Sequence, residues 1–284
     1  MKKIMVILAT FFFLGTATNV MAMSITGMDT AENLAQSIVG SGVTISNVSY
    51  TGTTAASGYF TGGTAAGIGI ESGIVLTSGY ASNLNGTSNT ADNITGNNGL
   101  AGDDTLNGLI PGYTTYDATV LSFDFVSAGD SAYFNYVFGS DEYNEWVNSS
   151  YNDVFGFFFE GQNVALIPGT STAVSINNVN GGANSAYYNN NDPSDGVPTP
   201  YAFEYDGFTD VFTAELLGLT AGTTYHIDLK IADAGDHILD SGVFIQGGSF
   251  SDTPVDPNPV PEPGTISLLG AGLLGLVYIR RKKA

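Results

Sequence analysis

Acidic side chains crowd one aromatic stretch of the sequence, 138–160, which contains no lysine or arginine. Its acidic members are Asp141, Glu142, Glu145, Asp153 and Glu160. Carboxylates without a neighbouring basic residue must be solvated, protonated or bound to a cation. The chemistry open to them is coordination of a hard metal ion, or acid–base catalysis by a carboxylate pair.

A second acidic group follows the strand predicted over 225–231, and both groups lie where predicted strands begin or end. Calcium prefers six to eight oxygen ligands, which carboxylates and backbone carbonyls on such loops provide. We therefore predict calcium as a cofactor, with six candidate ligands: Asp141, Glu142, Asp153, Asp233, Asp236 and Asp240. The alternative is that these acids cap turns through hydrogen bonds to the backbone and stay solvated.

Other metal sites and catalytic motifs find little support. The chain has no cysteine and only two histidines, His226 and His237, which disfavours zinc and copper. Residues 189–196 resemble an EF-hand loop, but Pro193 occupies the third ligand position and no Glu closes the loop. We predict no catalytic residue, although paired carboxylates would suit a carbohydrate-acting hydrolase.

The elements that position these acids are predicted to be mostly strands. Capping-box spacing from Asp29 to Glu32, followed by Leu34 and Ile38, predicts one short helix over 30–39. Short alternating runs separated by Gly, Asn and Asp follow it. This pattern indicates an all-β fold, an antiparallel β-sandwich or jelly-roll-like single domain with one short N-terminal helix.

Five runs are predicted as core strands. Residues 119–125 and 133–138 are expected to pair across a turn at 127–130. Residues 154–159 are almost continuously apolar, as in a strand covered on both faces, and 225–231 alternate cleanly. Residues 242–245 are predicted to form the last core strand.

The N-terminus has the features of a signal peptide over 1–22. Lys2 and Lys3 precede an apolar run, and Val20 and Ala22 are small residues suited to signal peptidase cleavage after Ala22. Between the signal peptide and the terminal basic cluster, 27 acidic residues are opposed by Lys230 alone, a net charge of about −26. So acidic a body excludes nucleic acid and anionic membrane surfaces as partners, because both require basic residues.

The C-terminal segment, 261–284, combines three elements in a fixed order. Pro261-Glu262-Pro263 precedes an apolar segment, predicted to span the membrane over 265–279, and the cluster Arg280 to Lys283 ends it. A Pro-rich linker is predicted over 251–263. The tail resembles the PEP-CTERM sorting motif, which implies processing by the membrane enzyme exosortase near Pro261, Glu262 and Pro263. It also implies a Gram-negative bacterium that makes exopolysaccharide.

The body, predicted as one domain over 23–250, resembles the choice-of-anchor L family of bacterial surface domains. The resemblance rests on separated stretches in the family's order: 115–125, 138–143, 151–157, 176–180, 205–207, 231–236 and 240–244. It implies an extracellular β-rich domain without an established catalytic activity.

These features together predict an exported protein that passes through the inner membrane to the cell surface or extracellular matrix. We expect a non-catalytic adhesion or matrix module that is stabilised by calcium and contacts exopolysaccharide. A carbohydrate-acting hydrolase and a purely structural scaffold remain the alternatives.

Overall fold

Two antiparallel β-sheets pack face to face in the computed structural model, which describes residues 23–86, 88–196 and 201–257. The larger sheet has eight strands in the order β1-β3-β4-β13-β6-β10-β9, with β11 also paired to β6. The smaller sheet has five strands in the order β2-β5-β12-β7-β8. The strands are β1 Ser24–Gly27, β2 Val43–Thr51, β3 Ser57–Thr61, β4 Ser72–Thr77, β5 Thr115–Ser127, β6 Ser131–Ser140, β7 Val154–Phe159, β8 Gln162–Asn163, β9 Tyr188–Asn190, β10 Gly207–Thr209, β11 Phe212–Leu217, β12 Thr224–Ala234 and β13 Ser241–Gln246. The predicted all-β sandwich is confirmed.

The helix predicted over 30–39 is confirmed as α1, Ala31–Ile38. Its N-cap is Thr30, whose Oγ1 accepts the N–H of Asn33 at 3.1 Å, one residue after the cap that the sequence suggests. Leu34 and Ile38 are buried against the sheets, as their spacing predicts. Two further helices are single turns, α2 Gly63–Ala66 and α3 Asp104–Asn107.

Aromatic side chains fill the space between the sheets. Phe134 and Tyr136 of β6 meet Phe157 and Phe155 of β7, with ring centroids 4.8 and 5.2 Å apart. These edge-on contacts are a favoured arrangement of aromatic pairs and bury large apolar areas. They fix how the two sheets face each other.

Each sheet also has a covered outer face. On the larger sheet, Val137, Phe208 and Phe244 pack with Phe203 in an apolar group that we call the outer cluster. On the smaller sheet, Phe158 packs beneath the chain around α3. Strand β7 is therefore buried on both faces, which confirms the prediction for 154–159, and β12 and β13 confirm the other two predicted core strands.

The predicted pairing of 119–125 with 133–138 is wrong. These residues lie in β5 and β6, which belong to different sheets, and the turn between them carries the chain across the sandwich. Both strands direct aromatic side chains inward, and these face each other across the core instead of lying side by side. Alternation defines the buried face of a strand but not its hydrogen-bonded partner.

Some predictions fall on other parts of the chain. The signal peptide over 1–22, the tail over 261–284 and the membrane segment over 265–279 lie outside the described residues. Among the described residues, no helix has the length and apolar character needed to cross a membrane.

Candidate cation site

Three aspartates form a row at one end of the larger sheet. Ser140, the last residue of β6, pairs with Gly207 of β10 on one side and Ser241 of β13 on the other. The residues just beyond these positions are Asp141, Asp206 and Asp240. The N–H of Asp141 donates to the carbonyl oxygen of Asp240 at 3.1 Å, so the register continues. We call these three residues the outer row.

Strand alternation determines the face on which the outer row lies. Asp141, Asp206 and Asp240 have the same spacing parity as Val137, Phe208 and Phe244 on their strands, and those apolar residues belong to the outer cluster. Residues two apart on a strand project from the same face. The three carboxylates are thus directed to the outer face of the larger sheet.

Two further aspartates lie at the same end of the smaller sheet. Asp153 precedes β7, and its Oδ1 accepts the N–H of Ala234 at 2.8 Å. Its Oδ2 accepts the hydroxyl of Ser241, in the larger sheet, at 2.6 Å. Asp233 is adjacent on β12, because Val154 pairs with Ala232. We call Asp153 and Asp233 the inner pair; it closes the end of the core between the sheets.

All five carboxylates are withdrawn from solvent. Asp153 and Asp206 are 0% exposed, Asp141 and Asp233 are 1% exposed, and Asp240 is 2% exposed. Both carboxylate oxygens of Asp141, Asp233 and Asp240 are buried without a hydrogen-bond partner. A buried charge in this condition is strongly unfavourable unless it takes up a proton or a cation.

Burial and neighbouring negative charges also disfavour the ionised form of the outer-row carboxyl groups. Burial raises the pKa of Asp141 well above its usual range, and the charges of Asp206 and Asp240 raise it further. Burial also raises the pKa of Asp240 to about 6. The N–H groups of Gly96 and Tyr80 oppose this increase, although neither reaches hydrogen-bond geometry.

The two carboxyl groups of the inner pair influence each other's pKa. Burial raises the pKa of Asp233 well above its usual range, and the charges of Asp153 and Asp240 add to the effect. Burial raises the pKa of Asp153 to about 7, less than it would without the hydrogen bonds from Ser241 and Ala234. The two carboxylates therefore lose their protons as a pair, at higher pH than an ordinary aspartate.

The arrangement limits how a cation could be held. Within 23–86, 88–196 and 201–257, no three His, Asp or Glu side chains converge as a ready-made metal cage. Neighbouring strands are about 4.8 Å apart, so the two ends of the outer row are separated by roughly 10 Å. A cation at this end would thus take two adjacent carboxylates and complete its shell with neutral oxygens, which calcium accepts.

The other two predicted ligands lie beside this group. Glu142 is 1% exposed, and burial, followed by the charges of Asp153 and Asp236, raises its pKa to about 10. With Trp146 and Tyr151 it lines a cavity of about 220 Å³. Asp236 is half-buried, and its Oδ1 accepts the N–H of Ile238 at 3.0 Å, which is the turn-capping role that the alternative describes.

The structure thus brings together Asp141, Asp153, Asp233 and Asp240, with Glu142 at their edge. Sequence reasoning missed Asp206, although a signal was present: it directly precedes a short apolar strand, as Asp240 does. It also missed Asp117, which is fully buried and accepts Nδ1 of His237 at 2.8 Å. The predicted processing residues Ala22, Pro261, Glu262 and Pro263 lie outside the described residues.

Comparisons with known proteins cover the body and the tail separately. A family model for the choice-of-anchor L domain matches residues 24–251, and one for the PEP-CTERM protein-sorting motif matches residues 259–282. No curated protein and no solved structure matches the chain. The tail marks an exported protein that is sorted to the cell surface and processed by exosortase. The chain therefore belongs to the choice-of-anchor L domain family and carries a PEP-CTERM sorting tail.

Proposed function

We propose that this protein is a non-catalytic module of the cell surface or exopolysaccharide matrix, and that calcium stabilises the acidic end of its sandwich. The observation that supports calcium most directly is the set of unpartnered oxygens on Asp141, Asp233 and Asp240. Each of these residues is at most 2% exposed, so water does not solvate the charge.

The body has almost no basic residues to balance these charges. Lys230 is the one lysine in the described part of the chain, which has no arginine. Its Nζ lies 3.0 Å from Oδ2 of Asp103 and 5.5 Å from the ring centroid of Phe158, so it is committed elsewhere. His226 and His237 pair with Asp124 and Asp117. With no basic side chain available, a proton or a bound cation must neutralise these carboxylates.

The donor chemistry favours calcium over other divalent ions. The side chains at this end offer only oxygen, and they come from loops and strand ends in both sheets. Calcium accepts irregular sets of six to eight oxygens, whereas magnesium requires near-octahedral geometry and retains water. Extracellular modules bind calcium at about 10⁻⁴–10⁻³ M, a range that suits an exported protein.

The cavities offer limited support for catalysis. A cavity of about 640 Å³ contains Glu215 as its one acidic lining residue, so it lacks a carboxylate pair. The hydrolase alternative is best placed at Glu142 and Asp236, which share the smaller cavity with Trp146 and Tyr151. That cavity is about 220 Å³, below the roughly 300 Å³ of typical ligand pockets. We therefore favour binding or scaffolding over turnover.

Thermal unfolding of the exported protein in calcium and in chelator tests the proposal. Calcium that binds only the native state should stabilise it by about 2.7 kcal/mol at a hundredfold excess over its Kd. Asp233→Asn should lose most of this increase. In chelator the same variant should melt close to the native protein, because burial already keeps the Asp233 carboxyl protonated there.

Asp236→Asn is the matched control, since Asp236 is half-buried and caps a turn. It should keep the full calcium response. Equal melting temperatures in calcium and chelator for the native protein would overturn the calcium proposal.

Incubation with the producer's own exopolysaccharide separates the possible roles. A matrix module should co-sediment with the polymer and leave its chain length unchanged. Polymer that is shortened by the native protein but left intact by Glu142→Gln would instead support the hydrolase. The absence of both co-sedimentation and shortening would support a scaffold.

A further inference from the structure

Asp206 of the outer row and Asp192 are both fully buried, and they lie on neighbouring segments that are separated in the sequence. Asp192 follows β9 and Asp206 precedes β10; both are 0% exposed. The N–H of Asn191 donates to the carbonyl oxygen of Asp206 at 2.7 Å, which holds the two segments side by side.

Each carboxylate is anchored through one oxygen. Oδ1 of Asp206 accepts the side-chain amide of Asn89 at 2.6 Å, and Oδ1 of Asp192 accepts the N–H of Ser194 at 2.6 Å. Oδ2 of each residue is buried and has no hydrogen-bond partner. The two side chains are therefore pre-positioned, and each keeps a free acceptor.

The two charges interact, and their neighbours are also acidic. Burial raises the pKa of Asp206 to about 9 against the hydrogen bond from Asn89, and the charge of Asp192 adds to this increase. Glu145 and Asp92 are the next charges to act on it. No lysine, arginine or histidine in the described part of the chain pairs with either aspartate.

We propose that Asp192 and Asp206 hold a second divalent cation, separate from the one that Asp233 and Asp240 would hold. Calcium is the ion expected, because the available donors are all oxygen; this identity rests on the proposed function. Asp192 belongs to the EF-hand-like stretch 189–196, but its partner comes from the next strand and not from its own loop. Pro193 is therefore no obstacle to this site.

The second ion would have a defined structural effect. Asp206 ends the segment 201–206, which lays Phe203 against Phe208 and Phe244, with ring centroids 5.0 and 6.2 Å apart. Asn89 and Thr90 lie on one loop, and Glu204 of the segment 201–206 accepts the N–H of Thr90 at 2.8 Å. A cation between Asp192 and Asp206 would fasten three segments over the outer cluster.

Calcium stoichiometry of the exported protein, measured by titration calorimetry with Ca²⁺ alone, tests the second site. Asp206→Asn and Asp192→Asn should each lose one ion per chain, and Asp233→Asn should lose the other. Asp210→Asn is the control, because Asp210 is exposed and accepts only the Asn189 side chain on the same part of the sheet. It should bind as the native protein does.

The outcomes separate the two proposals. Unchanged stoichiometry in folded Asp206→Asn and Asp192→Asn would overturn the second site and leave the first intact. Failure of the native protein to bind calcium would overturn both. If one variant does not fold, the other decides the question, because either substitution removes a ligand from the same ion.

Discussion

At Asp153 the charge state is decided by burial and by two hydrogen bonds that favour the carboxylate. Burial raises its pKa to about 7, while Ser241 and Ala234 hold it below the level that burial alone would set. Asp240 behaves similarly, with a pKa raised by burial to about 6. The ordinary value for an aspartate is 3.8. Between pH 3.8 and these raised pKa values, the native state therefore retains protons that the unfolded chain has released.

The raised pKa values of Asp153 and Asp240 make the native state less stable as pH rises. In chelator, the stability from Asp153 and Asp240 should be fully present below about pH 4. It should be lost as pH rises through 6 and 7, because the native state must then accept buried charge. Calcium binds the ionised carboxylates, so its stabilising effect should grow over the same window. Melting temperatures from pH 4 to 8, with calcium and with chelator, should diverge steadily.

Parallel curves in calcium and chelator would count against this explanation. Asp236→Asn provides the reference, since it should leave both curves unchanged. Asp153→Asn should flatten the chelator curve near pH 7, because it removes the group that titrates there.

At the scale of the elements, the end of β4 determines where Asp240 can lie. A Cβ built on Gly79, just beyond β4, would lie 1.7 Å from Oδ2 of Asp240. The carboxylate therefore occupies the space that any other residue at 79 would need. Glycine here leaves room for the outer row.

Gly79→Ala should displace the Asp240 carboxylate and weaken calcium binding at least tenfold, the equivalent of about 1.4 kcal/mol. Gly27→Ala is the matched control, because its Cβ would meet nothing within 4 Å. Calorimetry of both variants gives the two affinities directly. An affinity for Gly79→Ala equal to that of the control would show that Asp240 is not a ligand.

The sequence predicts single elements of this fold better than their partners. The capping pattern before Leu34 locates α1, and the apolar run 154–159 identifies a strand buried on both faces. The pairing of 119–125 with 133–138 fails because inward-facing aromatics look the same in a hairpin and across a sandwich. Local sequence alternation predicts which face of a strand is buried, whereas the identity of the strands that pair with it depends on long-range packing.

The same limit applies to the candidate site. Loop position placed Asp141 and Asp153 in one candidate group and Asp233 and Asp240 in another, and the structure brings the two groups to the same end of the sandwich. Asp206 was missed because it joins Asp141 only through the register of β10 with β6. Asp236 was included on proximity in sequence alone, and in the structure it caps a turn. Charge density in a sequence indicates candidates, but register decides which of them meet.

At the scale of the whole molecule, the acidic body and the tail have opposite affinities for a membrane. Residues 23–260 contain 26 acidic residues against Lys230, so the body is repelled by anionic lipid surfaces. The tail carries the apolar segment and the cluster Arg280 to Lys283, which favours a cytoplasmic position. We therefore expect attachment to the membrane to depend on the tail, and processing to determine where the body goes.

Mass spectrometry of the protein from the cell surface should find a new C-terminus near Pro261-Glu262-Pro263 and no peptide from Leu273 to Arg280. Removal of the tail takes away the one membrane-attracting segment of the mature chain, so the body should leave the membrane fraction. Replacing 261–263 by three alanines should block processing and keep the chain in the membrane fraction. The control is alanine at 254 and 257, two other prolines of the linker, which should be processed normally. A surface form that still contains Leu273 to Arg280 would show that the tail serves as a permanent anchor.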